Sequence, residues 1–579
     1  MSTPTNWTAR APWLVIVLAV LLRLPALGWD YFVDDHGIQL VVEGAVEHPT
    51  LRPWSAFDFG AASGVHSAPD TTSALPWWTS PEWKVRFFRP LASLTHWFDA
   101  VCWGRNPLAA HVTSLALFAL VLVALRALYL AAGLSERVLP WALAVFAFDD
   151  GSLFPVAWIA NRSTLLEACF TALAITYALR ARARASTSTS PRIFAAALAF
   201  SLAACLSKES GVAAPLLVAA VLGRSGRGQS RAKAVAALGL AVVYLAALLA
   251  AGYGARSDFY LTPWGEPAQF AQRFVQMAVL GSLSVFGPFP VDAPMFFDDL
   301  LVPWTAVALV VGAWLSSVAW RSAAAWPERG LFALWFVLTL LPQGGAFPSD
   351  RLLFVPLIGT APLIGALCAR VLDPLARRRR LLPAGVALSA LGLSALVLFA
   401  RGREFAAQIE LVNAAAVSFD VPANGRQRDA LVFQSGSLMN SLAPDPVWRM
   451  RTGREDVRLH PLQAGRRALR ITAVDASTLD VAFEGAALLD RPFERVFRVG
   501  GAPLEAGERF AHRAFDVEVL EAPSTRARTV LRLRFPEPTA SPRWCWLTWR
   551  DGAFRAFELP RIGESLELPE AAPLDPLLP

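Results

Sequence analysis

The sequence predicts a polytopic α-helical membrane protein with a β-rich domain at its C-terminal end. Three observations predict it. Of 579 residues, 55% are hydrophobic and only 17% charged, too apolar for an ordinary soluble protein. The apolar residues cluster into runs that approach or exceed the roughly 20 residues needed to cross hydrocarbon as a helix. From about Gln408 the pattern changes to short alternating segments punctuated by proline and glycine, the period of half-buried strands.

Candidate spans run near 11–28, 108–130, 136–148, 164–180, 192–206, 211–223, 232–252, 301–320, 329–343, 351–372 and 381–400. The first contains Arg23 and lacks a small-residue cleavage site, so it reads as a retained span rather than a signal peptide. Several others are short, as happens when helices face a polar cavity instead of lipid. Basic linkers choose the orientation. They are Arg180, Arg182, Arg184 and Arg192, then Arg224, Arg227, Arg231 and Lys233, then Arg377 to Arg380. With all three in the cytoplasm, four charged junctions fall outside: Asp34-Asp35, Asp149-Asp150, Lys208-Glu209 and Asp350-Arg351.

The apolar stretch 272–288 breaks that alternation, so it is expected to be interfacial or re-entrant within an external segment, 253–300. About eleven spans result and the tail lies outside. The division is a membrane domain, 1–407, with a long first external loop, 29–107, and an extracytoplasmic, sandwich-like domain, 408–579. Within that tail, Val530 to Phe535 alternates as a strand. Trp544 to Trp549 and Phe554 to Leu559 flank an Asp551-Gly552 turn, the signal of a hairpin.

The net charge of +7 resides in the first 400 residues, because basic and acidic residues each number 24 from 401 onward. The excess therefore concerns membrane orientation and excludes nucleic acid as its explanation. The five cysteines show no CxxC or metal-ligand spacing and read as small buried hydrophobes. His460 and His512 are isolated, and the tail has no catalytic constellation of its own.

The chemistry gathers at the outer junctions. A carboxylate near hydrocarbon is costly unless it faces water, a partner or a substrate, which singles out Asp34 and Asp35. The first loop is rich in tryptophan (29, 54, 77, 78, 83, 97 and 103), so it is expected to lie along the membrane interface. Among those rings, Lys84, Arg86 and Arg89 offer cations suited to an anionic headgroup or phosphate, with an internal salt bridge the equal alternative for Arg89. Lys208-Glu209 hinges two short hydrophobic halves, 192–206 and 211–223, a discontinuity of the kind that marks sites; self-pairing is its bland reading. Arg351 carries a fork that binds two phosphate oxygens at once. Such a set lets one carboxylate take a proton from an acceptor hydroxyl while cations stabilise a departing phosphate. A polyprenyl-phosphate-linked sugar fits, since its tail stays in the bilayer. No Gly-rich loop after a strand speaks for a nucleotide sugar.

Five segments resemble motifs of the GT-C class of membrane glycosyltransferases, and within it the bacterial relatives of the TPR-containing O-mannosyltransferase-like group. Phe32-Val33-Asp34-Asp35-His36 is similar to the first-loop signature with its acidic base. Phe88-Arg89-Pro90-Leu91, Trp103-Gly104-Arg105-Asn106-Pro107 and His111 resemble the Arg-Pro-Leu and Trp-Gly-x-Asn-Pro…His run. Val156-Ala157-Trp158-Ile159-Ala160-Asn161-Arg162, Ser207-Lys208-Glu209 and Asp350-Arg351-Leu352-Leu353-Phe354-Val355-Pro356 resemble three more. The likeness covers roughly 1–372. It departs at Asp149-Asp150-Gly151-Ser152-Leu153-Phe154-Pro155, where the group writes His-Pro-x-His-x-Glu, and TPR repeats are missing.

The resemblance implies an inverting glycosyltransferase of the bacterial inner membrane, multi-pass, with its C-terminal domain in the periplasm. It would move a sugar from a polyprenyl-phosphate donor to an acceptor protein, lipid or glycan. Asp34 would be the base and Asp35 would position it or touch the sugar. Arg89, Arg162, Lys208, Glu209, Arg351 and His111 would hold the substrate and its lipid phosphate. The departure adds a possible divalent ion, Mg or Mn, on Asp34, Asp149 and Asp150. The rivals are a flippase for lipid-linked sugars and a non-enzymatic envelope assembly protein.

Overall fold

The computed structural model describes residues 6–45, 53–61, 75–184, 190–224, 228–292, 297–372, 380–419, 427–442, 444–484, 488–489, 494–501, 503–522 and 528–574. Arg227 and Arg377 to Arg379 of the basic linkers lie outside them. Among the described residues, eight helices are long and apolar enough to cross a membrane. Leu139–Phe148 and Glu209–Gly223 are shorter apolar helices, so the protein is a multi-pass helical membrane protein.

In chain order the helices are α1 (Asn6–Leu21), α2 (Asp34–Val42), α3 (Pro90–Trp103), α4 (Pro107–Ala131), α5 (Leu139–Phe148), α6 (Arg162–Ala183) and α7 (Ser190–Ser207). They continue with α8 (Ala213–Gly223), α9 (Gly228–Ala250), α10 (Pro267–Ser284), α11 (Asp298–Val307), α12 (Ala313–Ser322), α13 (Arg329–Leu340), α14 (Phe354–Cys368), α15 (Leu381–Ala387) and α16 (Ser394–Ala416). A π-helical turn joins α11 to α12, and another joins α15 to α16. Each of the eleven expected spans is represented by helix, but three of them, at α5, α8 and α13, are shorter than a crossing. The reason is packing. Helices α5 and α8 are largely buried, and α14 is buried along almost its whole length. Helix α10, the expected interfacial or re-entrant stretch, is not among the crossing-length apolar helices.

One end of the bundle is basic. There Arg182 and Arg224 share Glu328, and Lys233 donates to Ser190. The opposite end carries Asp34, Asp150, Lys208 and Asp350-Arg351, and it adjoins the strands. Helix α16 runs unbroken past residue 407 to Ala416 and leads into the β domain.

That domain packs two sheets face to face. Numbered after the three short strands of the external segments, β1 (Asp58–Ala61), β2 (Lys84–Arg86) and β3 (Gly254–Arg256), one has six strands in the order β13 (Ser565–Leu568), β6 (Leu469–Asp475), β7 (Thr478–Glu484), β10 (Arg528–Arg534), β9 (Asp516–Glu521) and β8 (Arg509–Ala511). The other has four in the order β12 (Ala553–Ala556), β11 (Trp544–Arg550), β4 (Arg428–Val432) and β5 (Val457–Pro461), and β4 pairs in parallel with both neighbours. Leu431, Phe433 and Trp546 of the second meet Ile471, Val481 and Leu531 of the first in one core. The expected hairpin forms β11 (Trp544–Arg550) and β12 (Ala553–Ala556), closed by Asp551 and Gly552 at φ 53° and 71°. Positive φ at both central residues gives the turn a twist that matches its strands.

The first loop differs from its expected position along the interface. Trp77 and Trp78 are buried inside the β-domain core, and Trp77 Nε1 donates to Leu462 O over 2.9 Å. Trp83 Nε1 donates to Val496 O over 3.0 Å. Helix α3 keeps the exposed apolar face expected of an interfacial segment, with Trp97, Phe98, Val101 and Trp103, and Trp54 and Phe59 are exposed too. The loop thus ties the helices to the β domain, because an indole gains more by burial with its N–H satisfied than by lying half-exposed.

Candidate active site

Asp34 opens α2, and the backbone before it is strained. Val33 has φ 40° and ψ −96°, a conformation that costs a β-branched residue on the order of 1–3 kcal/mol. Asp35 holds that kink from below. Its buried carboxylate accepts the Phe32 N–H over 2.9 Å and the Ala160 N–H over 2.6 Å. Burial pushes Asp35 up to about 8 despite those two donors. The Asp35 carboxyl is therefore buried and committed to two backbone N–H groups directly beside Asp34.

Asp34 itself is exposed to solvent, although neighbouring protein crowds it. Its carboxylate accepts no hydrogen bond among the described residues. Crowding raises its pKa, and the charge of Arg351 draws it back down. Arg351 is likewise without an ion pair among the described residues. Its guanidinium lies over Trp158, 5.0 Å from the ring centroid. Trp158 ends the Val-Ala-Trp segment, so two sequence motifs meet there.

The remaining cations divide by availability. Arg89 is bidentate to Glu209, with Nε 3.0 Å and Nη2 2.9 Å from Oε2, and it lies over Phe87 at 4.4 Å. The internal salt bridge is thus its arrangement, and Glu209 is its partner. Lys208 Nζ donates to Thr164 Oγ1 over 2.9 Å and stands 4.0 Å from Glu167. Its short hinge needs Gly211, whose position leaves no room for a Cβ, 2.2 Å from Ala204 O. Arg86, grouped with Arg89 by sequence, is bidentate to Asp58 instead.

Two of the expected substrate residues are internal. Arg162 is wholly buried, paired with Asp99 at 2.7 Å, and donates to Ala110 O over 2.9 Å. His111 is buried next to it. Arg162 therefore sits inside the packing of α3, α4 and α6 with its charge paired, and His111 lies in the same buried layer.

The metal expectation also meets a different arrangement. Asp150 Oδ2 and Asp350 Oδ2 lie 2.8 and 2.7 Å from the same Arg401 Nη1, and Asp292 is 3.9 Å from Nη2. Asp149 Oδ1 accepts the Gly151 N–H over 3.0 Å, and Asp350 Oδ1 that of Val291 over 2.7 Å. A Cβ on Gly151 would stand 2.9 Å from Asp350 O, which is how the two turns approach so closely. Burial and the neighbouring carboxylates raise Asp149 well above its ordinary range, and Asp150 to about 6 and Asp292 to about 7 against the pull of Arg401. Among the described residues no three His, Cys, Asp or Glu are placed to share an ion. The carboxylates do not fit a divalent metal, since a guanidinium already takes the cation's position.

Sequence reasoning missed Arg401, Asp292 and Tyr260. Arg401, a charge near the outer end of the last span, was a legible signal. Tyr260 was not. It comes from the external segment 253–300, its backbone N–H donates to Ser257 Oγ over 3.1 Å, and its ring packs on Phe87 at 5.4 Å. There it lies within the fields of Arg351, Arg89, Asp34 and Glu209. In the β domain, His460 is buried and paired with Asp429 at 2.9 Å, which Arg543 also reaches at 2.7 Å, and His512 packs against it. Both histidines are packing residues.

No family model matches the chain, and no curated protein does. Two solved structures resemble it. One is the Archaeoglobus fulgidus oligosaccharyltransferase tethered with an acceptor peptide containing the NVT sequon, at 11% identity over 79% of this chain and 64% of that one, TM-score 0.42. The other is the archaeal oligosaccharyltransferase AglB from Archaeoglobus fulgidus with an inhibitory peptide and a dolichol-phosphate, at 13% identity over 80% of this chain and 66% of that one, TM-score 0.40. This chain thus spans just under two thirds of the length of either. At so loose an overlay, any functional reading must come from the site itself.

Proposed function

We propose that the protein is an inverting glycosyltransferase of the GT-C class that uses a polyprenyl-phosphate-linked sugar. One observation carries the reading. Asp34 and Arg351, opposite in charge and neither of them ion-paired among the described residues, lie within each other's field at the end of the membrane helices remote from the basic linkers. That end is extracytoplasmic by the distribution of basic residues, and the β domain lies beside it. The finer likeness to bacterial relatives of the TPR-containing O-mannosyltransferase-like group rests on the five motifs alone.

In this mechanism Asp34 takes the proton of the acceptor hydroxyl as that oxygen forms a bond to the anomeric carbon. The bond from that carbon to the phosphate oxygen breaks on the opposite face, and its electron pair leaves with the polyprenyl phosphate. Arg351 stabilises the charge gathering there, in a site where water is sparse and such stabilisation is large. Arg89 and Lys208, partly neutralised by Glu209 and Glu167, add to the positive field, and Tyr260 offers a phenolic donor. The proton remains on Asp34 until the product leaves.

Purified protein supplied with a panel of polyprenyl-phosphate sugars tests this. Asp34→Asn is expected to slow release of polyprenyl phosphate by about 10²–10⁴-fold, the usual worth of a general base, at unchanged expression and melting temperature. Near-wild-type turnover would remove Asp34 as the base. The rate should rise with pH through the Asp34 pKa, on a limb displaced to the alkaline side of an ordinary carboxylate.

A further inference from the structure

A cavity opens beside an aromatic cluster next to the segment that carries Asp34. Trp29, Phe32, Phe405 and Phe154 pack edge to face, with centroids 4.9 to 5.8 Å apart. The cavity has a volume of about 280 Å³ and lies between the end of the first span, the turn at 153–157 and helix α16. Its walls are apolar, from Leu22, Ala26, Val156, Leu398 and Phe399. Arg23 also lines it, with Nη1 donating to Ala19 O over 3.0 Å and Nη2 to Ala147 O over 2.7 Å.

The two charges on its rim set it apart from a simple packing defect. Arg403 and Glu410 are both exposed, and neither forms an ion pair with the other or with another described residue. They lie seven residues apart on α16, hence on one face and about 10 Å apart along the axis. Helix α16 rises from the basic end of the bundle toward the β domain, so depth orders the groove as apolar, then cationic, then anionic. That is the order of hydrocarbon, phosphate and ammonium in a zwitterionic phospholipid whose headgroup ends in a primary amine. Its volume falls just below the roughly 300–1,000 Å³ usual for ligand sites, so it seats a segment of one acyl chain while the rest lies in the bilayer.

We propose that this groove binds one phosphatidylethanolamine-type lipid, its chain between α1 and α16, its phosphate at Arg403 and its ammonium at Glu410. A guanidinium matches phosphate, and a carboxylate an ammonium, through charge-assisted hydrogen bonds. The lipid would fill the gap between the first and last membrane helices and brace the turn that carries Asp150. The inference needs only the membrane setting and stands whatever reaction occurs at Asp34.

The test is native mass spectrometry of the full-length protein released from nanodiscs of mixed phosphatidylethanolamine, phosphatidylglycerol and phosphatidylcholine. One retained phosphatidylethanolamine, enriched several-fold over its share of the bilayer, is expected. Arg403→Gln and Glu410→Gln, exposed positions that a folded chain tolerates, should each abolish most of that enrichment, and Ala406→Phe should block the groove. Retention in proportion to the bilayer composition would overturn the proposal, as would enrichment of phosphatidylglycerol, which Glu410 opposes. Undiminished retention in both glutamine variants would overturn it too.

Discussion

Asp350 and Arg351 are neighbours in the chain, yet they belong to two clusters of opposite character. On one side, Arg401 is shared by Asp150, Asp350 and, more distantly, Asp292, and both Asp350 oxygens are bonded. On the other, Arg351 rests on Trp158 and senses Asp34 without touching it. The first arrangement satisfies its guanidinium from within, whereas the second leaves one carboxylate and one guanidinium for something else to bridge. In the proposed mechanism, activity belongs to the second cluster and cohesion to the first.

Substitution of the two arginines should break the comparison most sharply. Arg401→Ala leaves several buried carboxylates without a counter-charge, a loss of about 3–5 kcal/mol by the usual cost of orphaning a buried ion. Its melting temperature should fall steeply at neutral pH and recover in part as pH drops. The sign follows from Asp150 and Asp292, already raised to about 6 and 7 with Arg401 present. Raised carboxylates favour the folded state below those values and lose that contribution as pH climbs through them. Arg351→Ala should do the reverse, with little change in melting and a rate loss of about 10²–10³-fold. It should also shift the acid limb of the pH profile upward, because Arg351 no longer lowers Asp34. Equal melting losses in both variants would erase the distinction between the clusters.

How much of this was legible in the sequence follows from the same physics. The helices and the Asp551-Gly552 hairpin could be read because hydrophobic period and turn residues are local. Asp34 and Arg351 could be singled out because charge at a membrane edge is rare. What could not be read was which charges are already satisfied. Arg162, Arg89 and Arg351 look alike as motif members. Only their three-dimensional neighbours, Asp99 for the first and Glu209 for the second, show that the third alone lacks an ionic partner among the described residues. The tryptophans of 77–83 were misplaced for a similar reason, since an indole prefers a bilayer interface or a protein core equally well until a carbonyl such as Leu462 O is there to accept its N–H.

Asp35 sharpens the comparison at smaller amplitude. Its replacement by Ala removes two hydrogen bonds and lets Val33 relax from its positive φ, so the stability lost with the bonds, about 1–3 kcal/mol each when a buried donor is orphaned, is partly regained as strain. The variant should fold, and its rate should fall because Asp34 is no longer aimed. Asp35→Asn retains an oxygen that can accept one N–H and should recover part of that rate. An Asp35→Asn rate as low as that of Asp34→Asn would instead make Asp35 a proton acceptor in its own right.

The smallest expected effect concerns divalent ions. If Arg401 supplies the positive charge among Asp150, Asp350 and Asp292, prolonged chelation should leave both rate and melting temperature unchanged. An added Mg or Mn salt should not rescue Arg401→Ala at neutral pH, because Asp149 is turned into the Gly151 N–H and Asp350 is bonded to Val291. Rescue by metal would show that those carboxylates can rotate to form a coordination shell, and that the guanidinium only occupies a site able to exchange it for an ion. The two clusters would then differ in what presently satisfies them, with the paired one as open to a ligand as the other.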